Sequence, residues 1–353
     1  MSPTGWTVCA LLCGATLVAC SPDVPGPRAQ VAVPIPVPSA PVGSVLHREV
    51  LSVADADRHG STWFVLDTRD AAVHRIGPDG ALRGSFGRRG EGPGEFESPE
   101  KLVVHGDTIV VWDQNQLRLF TPAGEHIADW SLHVDECAAP LPLARGAASL
   151  PVGILLLVDC VASVGLSPRL KTMAWLVEGD GESRALAHYS PPSPRSFGLD
   201  FVSSPVIAAH PRGFLFGKAA DDCLAVHGLD GSPEATVCHD WLERAQVPPD
   251  MAESIAETSR RTGLNIPEME TLMPFTDVFV TGSGRLVYVT LVVDEEGELW
   301  QQPRSTQPDA WENGPDSPIA SMLFGSGDAV LAVWEDLEGT RIAVYDLAAP
   351  PES

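Results

Sequence analysis

Three histidines hold matching places in this sequence. His59 precedes Gly60, His105 precedes Gly106, and His210 stands shortly before Gly213, each just ahead of an apolar run. Imidazoles converging on one point would hold a divalent metal through their ring nitrogens. The matching turns elsewhere carry Ser283 and Asp328, so the position reads as a polar turn and no metal site is expected. Arg88 and Arg89 are adjacent cations that could hold an anion, but within a glycine-rich stretch they read as a solvated loop pair. Trp63, Trp112, Trp175, Trp300 and Trp334 are large enough to act as ligand platforms; in or beside apolar runs they read as packing residues. The chain contains no Gly-x-Ser-x-Gly, His-Glu-x-x-His, Walker loop or Cys-x-x-Cys, so the catalytic residues are unknown and no cofactor is expected. The cluster from Gly90 to Gly94 has no helix after it to present amides to a phosphate.

The elements that carry these residues repeat. Alternating apolar runs dominate from residue 49 onward, and helical periodicity is nearly absent. Runs begin at Gly60, Gly106, Gly153, Gly213, Gly284 and Gly327, with spacings of 46, 47, 60, 71 and 43 residues. A period in the forties with several short strands per unit is the signature of a propeller. The first unit continues from Asp67 through Ala72–Ile76 and the turn Gly77-Pro78-Asp79-Gly80; the second continues from Asp113 through Gln116–Phe120 and the turn Thr121-Pro122-Ala123-Gly124. Six starts imply six blades, read as 49–87, 98–133, 142–190, 203–242, 274–303 and 317–347. In the widest gap, Pro248-Pro249-Asp250 with Glu253 looks like a helix start, and a helix over about 248–263 is expected to lie across one face of the ring. The whole is an all-β, six-bladed propeller of four-stranded antiparallel blades spanning 42–348, with a helical insertion between blades four and five.

Ring closure follows from a shortage. The last blade offers three strands, and the chain then ends in Ala-Ala-Pro-Pro-Glu-Ser. An open outer edge would invite association. Residues 42–48 have no other place and are expected to pair alongside 341–347 as the outer strand of blade six.

Between units one and two runs Phe86-Gly87-Arg88-Arg89-Gly90-Glu91-Gly92-Pro93-Gly94-Glu95-Phe96. This resembles the linkers of NHL-repeat six-bladed β-propellers, which read Gly-x-Gly-x-Gly-Pro-Gly-x-Phe before an inner strand. The resemblance is specific over 49–133, moderate over 327–346 and rests on pattern alone in blades three to five. Relatives of this architecture include metal-dependent lactonases and lyases with sites at the channel mouth. None of their ligand sets can be carried onto residues here, and blade four lies across the ring from blade one, too far for His59, His105 and His210 to converge.

Composition places the ring. Lys plus Arg number 23 against 47 Asp plus Glu, a formal charge of −24, which repels polyphosphate and excludes non-specific nucleic-acid binding. Residues 1–22 carry no charge and end in Leu17-Val18-Ala19-Cys20. This resembles the lipobox of bacterial lipoproteins, which implies a signal peptide over 1–19 and a lipid on Cys20, although no Lys or Arg precedes the apolar stretch. Ser21 by the same analogy implies the outer membrane. Residues 20–41 form a proline-rich linker, expected to be extended polyproline II without core packing; about 20 residues of it would span about 60 Å. The exported chain would then hold Cys137, Cys160, Cys223 and Cys238, an even number in an oxidising compartment. Cys223 and Cys238 flank Asp230-Gly231, a two-residue hairpin signal that sets them opposite each other on a hydrogen-bonded pair; Cys137–Cys160 would be the second bridge. The functional expectation is a non-enzymatic, lipid-anchored envelope module binding a protein, peptide or glycan, touching the membrane through its anchor only. The alternative is a metal-assisted lactonase or lyase working in the central channel.

Overall fold

The computed structural model describes residues 33–34, 43–47, 50, 52–132, 134, 143–164, 167–179, 181–189, 205–221, 223–239, 242–262, 270–294, 296–305, 320–336 and 339–347. Cys20, the leader 1–19, most of the linker 20–41 and Cys137 lie outside them.

Among the described residues the strands pair into six four-stranded sheets, all antiparallel. Their inner strands are Val53–His59, Pro99–His105, Leu143–Leu150, Pro205–His210, Phe275–Val280 and Met322–Ser326, one per blade. Each inner strand neighbours the next in turn, and the last neighbours the first, so the sheets close into a ring.

The ring follows from where the apolar runs are buried. Thr62–Asp67, Thr108–Asp113 and Gly213–Lys218 are second strands, buried along nearly their whole length. A strand covered on both faces reads as a continuous apolar run rather than an alternation. The outer strand His126–Ser131 alternates between half-buried and exposed. Blades therefore stack face to face, and each described core mixes two neighbours: Phe64 and Leu66 pack with Leu102 and Ile109, and Trp112 packs with Leu156 and Trp175. The circle closes where Trp63 and Val65 of blade one meet Leu331 and Val344 of blade six.

The glycines that start the second strands have structural causes. Gly60 sits at φ 59° in the tight turn between the first two strands, a left-handed conformation costly for residues with a Cβ. At Gly213 an added Cβ would lie 2.1 Å from the carbonyl oxygen of His227. In blades one and three the second strand carries a buried acid: Asp67 accepts from the amides of Arg69 and Asp70 in the turn that follows, while Asp159 accepts from Arg145 and Thr172 of the flanking strands.

The N-terminal segment completes two blades. Gly43–His47 pairs antiparallel with blade six, Gly43 opposite Val344 and His47 opposite Thr340, as the strand shortage implies. His47 is buried and its Nε2 donates to the Gly80 carbonyl of blade one at 2.8 Å. The linker expectation is corrected at one point: Val33–Pro34 pairs with Ser305 and Arg304 as the outer strand of blade five. Proline is tolerated there because an edge strand needs hydrogen bonds on one side only. Blade five accordingly runs to Ser305 rather than 303.

Cys223 and Cys238 stand opposite each other and are bonded, with Cα atoms 3.9 Å apart. The turn differs from the two-residue expectation. Gly228 and Ser232 close it, and a bulge between Val226 and His227 restores the register. The close Cα spacing is that of a non-hydrogen-bonded pair, since the alternation restarts across the bulge. Cys160 is buried and disulfide-bonded.

The helix runs Pro249–Thr262, with proline at its first position and the Ala252 amide donating to Pro248. Only Met251, Ile255, Thr258 and Ser259 are half-buried along its middle, and it packs extensively on no described strand. Glu253, Ser254, Glu257, Arg260 and Arg261 form its exposed, charged face.

Candidate functional site: the central channel

Inner strands leave an unpaired edge toward the axis, and their amides need acceptors. Side chains of neighbouring blades supply them. Asp55 Oδ2 accepts from the Leu102 amide at 2.9 Å and Asp57 Oδ2 from Val104 at 2.8 Å, both from blade one to blade two. Glu100 accepts from Ala144 of blade three at 2.9 Å, and Gln301 Oε1 of blade five accepts from Leu323 of blade six at 2.7 Å. Glu335 of blade six accepts from Val53 of blade one at 3.2 Å. These carboxylates and amides staple neighbouring sheets, joined in blades five and six also by the backbone bridge between Gln301 and Ala320.

Three of these staples, Asp55, Asp57 and Gln301, line two adjoining cavities. The larger, about 390 Å³, includes Asp55, Asp57, Arg58, His210, Asp277 and Ser326. The smaller, about 260 Å³, includes Asp55, Lys101, Arg145, Thr276, Asp277 and Gln301. Asp55 and Asp277 border both.

Burial sets the electrostatics. Desolvation raises Asp55 above the ordinary carboxylate range, opposed by the charge of Lys101 and by its backbone hydrogen bonds. Asp57 is raised by burial against the Ser326 hydroxyl and the Val104 amide. Asp277 is pushed up to about 6, again by desolvation first. It faces channel water yet is walled in by protein, and among the described residues only its Oδ1 is bonded, by the Val278 amide at 2.8 Å. Desolvation, then Arg212, lowers His210.

The pH dependence of Asp277 has a definite sign. Its folded pKa of about 6 exceeds the ordinary 3.8, so folding disfavours the ionised form. Stability is lost as pH rises through that interval, and the penalty is complete above pH 6. Asp277→Asn cannot ionise. It is expected to be more stable than the parent at pH 7.5 by about 1 kcal/mol, since channel water screens the group, which raises the melting midpoint by about 2 °C. At pH 4 the advantage should vanish; paired melts at the two pH values check it, and an equal gain at both would mean a packing effect instead.

The histidines do not converge. His59 Nε2 donates to Asp107 at 2.8 Å, His105 Nδ1 lies 3.0 Å from Ser149 Oγ, and His210 Nδ1 accepts from the Arg212 amide at 3.3 Å. Each is bonded within its own turn or to the next blade's turn. Among the described residues no group of three His, Cys, Asp or Glu is placed to hold a metal ion. Arg88 pairs with Glu95, and Arg89 donates to the carbonyls of Thr68, Arg69 and Glu97, so both tie down the linker between blades one and two. Trp63, Trp112 and Trp175 are buried between blades, and Trp334 packs against such a core. Trp300 is half-buried and donates to Asp294 at 2.7 Å.

Asp55, Asp57, Lys101 and Asp277 were not evident as a site from the sequence. The alternation Ala54-Asp55-Ala56-Asp57 was the available signal, but it resembles any half-exposed strand.

Sheet order, face-to-face cores and channel together define a six-bladed β-propeller. No protein-family model matches the sequence, and no curated protein matches it. Solved structures do match. A candidate exported protein of Bacteroides fragilis aligns over 86% of this chain and 93% of its own, with 12% identity and a TM-score of 0.44. A luciferin-regenerating enzyme aligns over 88% and 98%, with 10% identity and a TM-score of 0.47. A gluconolactonase candidate aligns over 90% and 97%, with 12% identity and a TM-score of 0.47. The likeness is one of fold.

Proposed function

We propose that this chain is a lipid-anchored binding module of the bacterial cell envelope, recognising its ligand at the propeller channel without chemical turnover. One observation carries the non-enzymatic reading. Both oxygens of Asp55 and of Asp57 accept hydrogen bonds from backbone amides. Turning these carboxylates toward a metal or a substrate proton would weaken amide bonds that hold blades one and two together, each worth about 0.5–1.5 kcal/mol. The described channel residues thus fit a metal-dependent lactonase or lyase poorly. The test is elemental analysis after dialysis, together with turnover of a lactone panel. A stoichiometric divalent metal with turnover would overturn the reading.

The lipobox-like Leu17-Val18-Ala19-Cys20 supports the anchor, and the Cys223–Cys238 bridge supports an oxidising compartment. Export with an acylated cysteine would present an NHL-like ring on the outer membrane. Cys20→Ala is expected to move the protein from the membrane fraction to the soluble periplasm or medium. Retention in the membrane would indicate an uncleaved helical anchor.

A further inference from the structure

Blades two and five are diametrically opposite in a ring of six. Each sends one charged side chain into the smaller cavity, Lys101 from the inner strand Pro99–His105 and Asp277 from Phe275–Val280. The ammonium is near enough for its charge to act on both Asp277 and Asp55. Among the described residues, however, Lys101 has no hydrogen bond or ion pair, and Asp277 Oδ2 has no donor. The other polar groups here each hold a partner already. Asp55 holds two amides, Arg145 pairs with Asp159 at 2.6 Å, Thr276 donates to the Val289 carbonyl, and Gln301 Oε1 accepts from Leu323. Two opposite charges thus share one cavity without meeting.

We propose that this cavity binds a small zwitterion of the amino-acid class, its carboxylate on Lys101 and its ammonium on Asp277. The proposal rests on reading the channel as a binding site. The charge layout selects the class. A simple amine would satisfy Asp277 but crowd Lys101, and a simple carboxylate would satisfy Lys101 but face Asp55 and Asp277. Each singly charged ligand therefore meets a like charge, and only a ligand with both charges satisfies both walls. Size agrees. About 260 Å³ lies just under the range of about 300–1,000 Å³ usual for pockets taking drug-sized ligands.

The test is calorimetric titration of the mature protein at pH 7.5 with glycine, β-alanine, γ-aminobutyrate and 5-aminopentanoate, whose charges are set progressively further apart. n-Propylamine and propionate serve as single-charge probes. One length is expected to bind at least tenfold more tightly than either single-charge probe. Lys101→Met and Asp277→Asn should each weaken that binding tenfold or more with an unchanged circular dichroism spectrum. Binding by no member, equal binding of propylamine or propionate, or full affinity in both variants would overturn the proposal. A failed series in a protein without metal or lactone turnover removes this ligand class alone, whereas metal with turnover removes the binding reading beneath it.

Discussion

A chain beginning at Glu49 is expected to melt about 10 °C below one beginning at Pro41. The difference between them is the strand Gly43–His47, which pairs over five residues with blade six. Removing it loses that ladder, the bond from His47 to the Gly80 carbonyl and the burial of His47. Taken together these amount to about 3–5 kcal/mol, and chains of this size lose about 2–4 °C per kcal/mol. The loss should be cooperative. The strand holds blade six, and blade six shares a core with blade one through Val344, Val65 and Trp63. The shorter chain should also self-associate, because Gly339–Asp346 would become an exposed edge. Thermal melts and light scattering on the two chains check both effects, and equal midpoints would show the strand to be a passive linker. A third chain beginning at Val31 adds the two-residue pairing of Val33–Pro34 and should gain much less.

Asp113→Ala is expected to cost about 3–5 kcal/mol, again about 10 °C in melting midpoint. Asp113 is 2% exposed and accepts from the amides of Glu97 and Ser98 and from Arg118 Nε, the last at 2.8 Å. Arg118 is 3% exposed, and its remaining acid, Asp129, lies 3.5 Å away. The substitution strands a buried guanidinium and two amides at the joint between blades one and two. Arg118→Met in the same chain should recover part of the loss, because removing both charges is far cheaper than removing one. Asp79→Ala, which breaks the exposed pair with Arg83, should leave the melt unchanged. A shift below 2 °C for Asp113→Ala would mean that water replaces the carboxylate.

The parts of the fold readable in the sequence were those set by local constraint. The turns before Gly60 and Gly106 need φ near 60°, and the strands after them are buried on both faces; each condition leaves a mark on the residues themselves. The closing strand was readable by counting, since blade six had three strands and an edge to cover. What escaped notice lacked such marks. Val33–Pro34 sits in a proline tract that reads as spacer, and its pairing depends on a partner about 270 residues away. Blade three extends its central hairpin to Val164 opposite Ser167, where the apolar run has already ended. The channel group was the least visible. Asp55 and Asp57 gain meaning from amides 47 residues further on, and Asp277 shares a cavity with Lys101 only because six blades set their two strands across one channel.

The two N-terminal strands also impose an order in time. Synthesis delivers Val33–Pro34 and Gly43–His47 before any blade, yet their partners, Arg304–Ser305 and Thr340–Val344, follow about 270–300 residues later. The leading segment must therefore wait, unpaired, until almost the whole chain has been made. Until then blades five and six lack their outer strands. Closing so long a loop is entropically unfavourable and slow, and the step comes last. The protein carries its clasp at the front and fastens it only when the final blade arrives, so a chain stalled before residue 340 stays an open, unlatched arc.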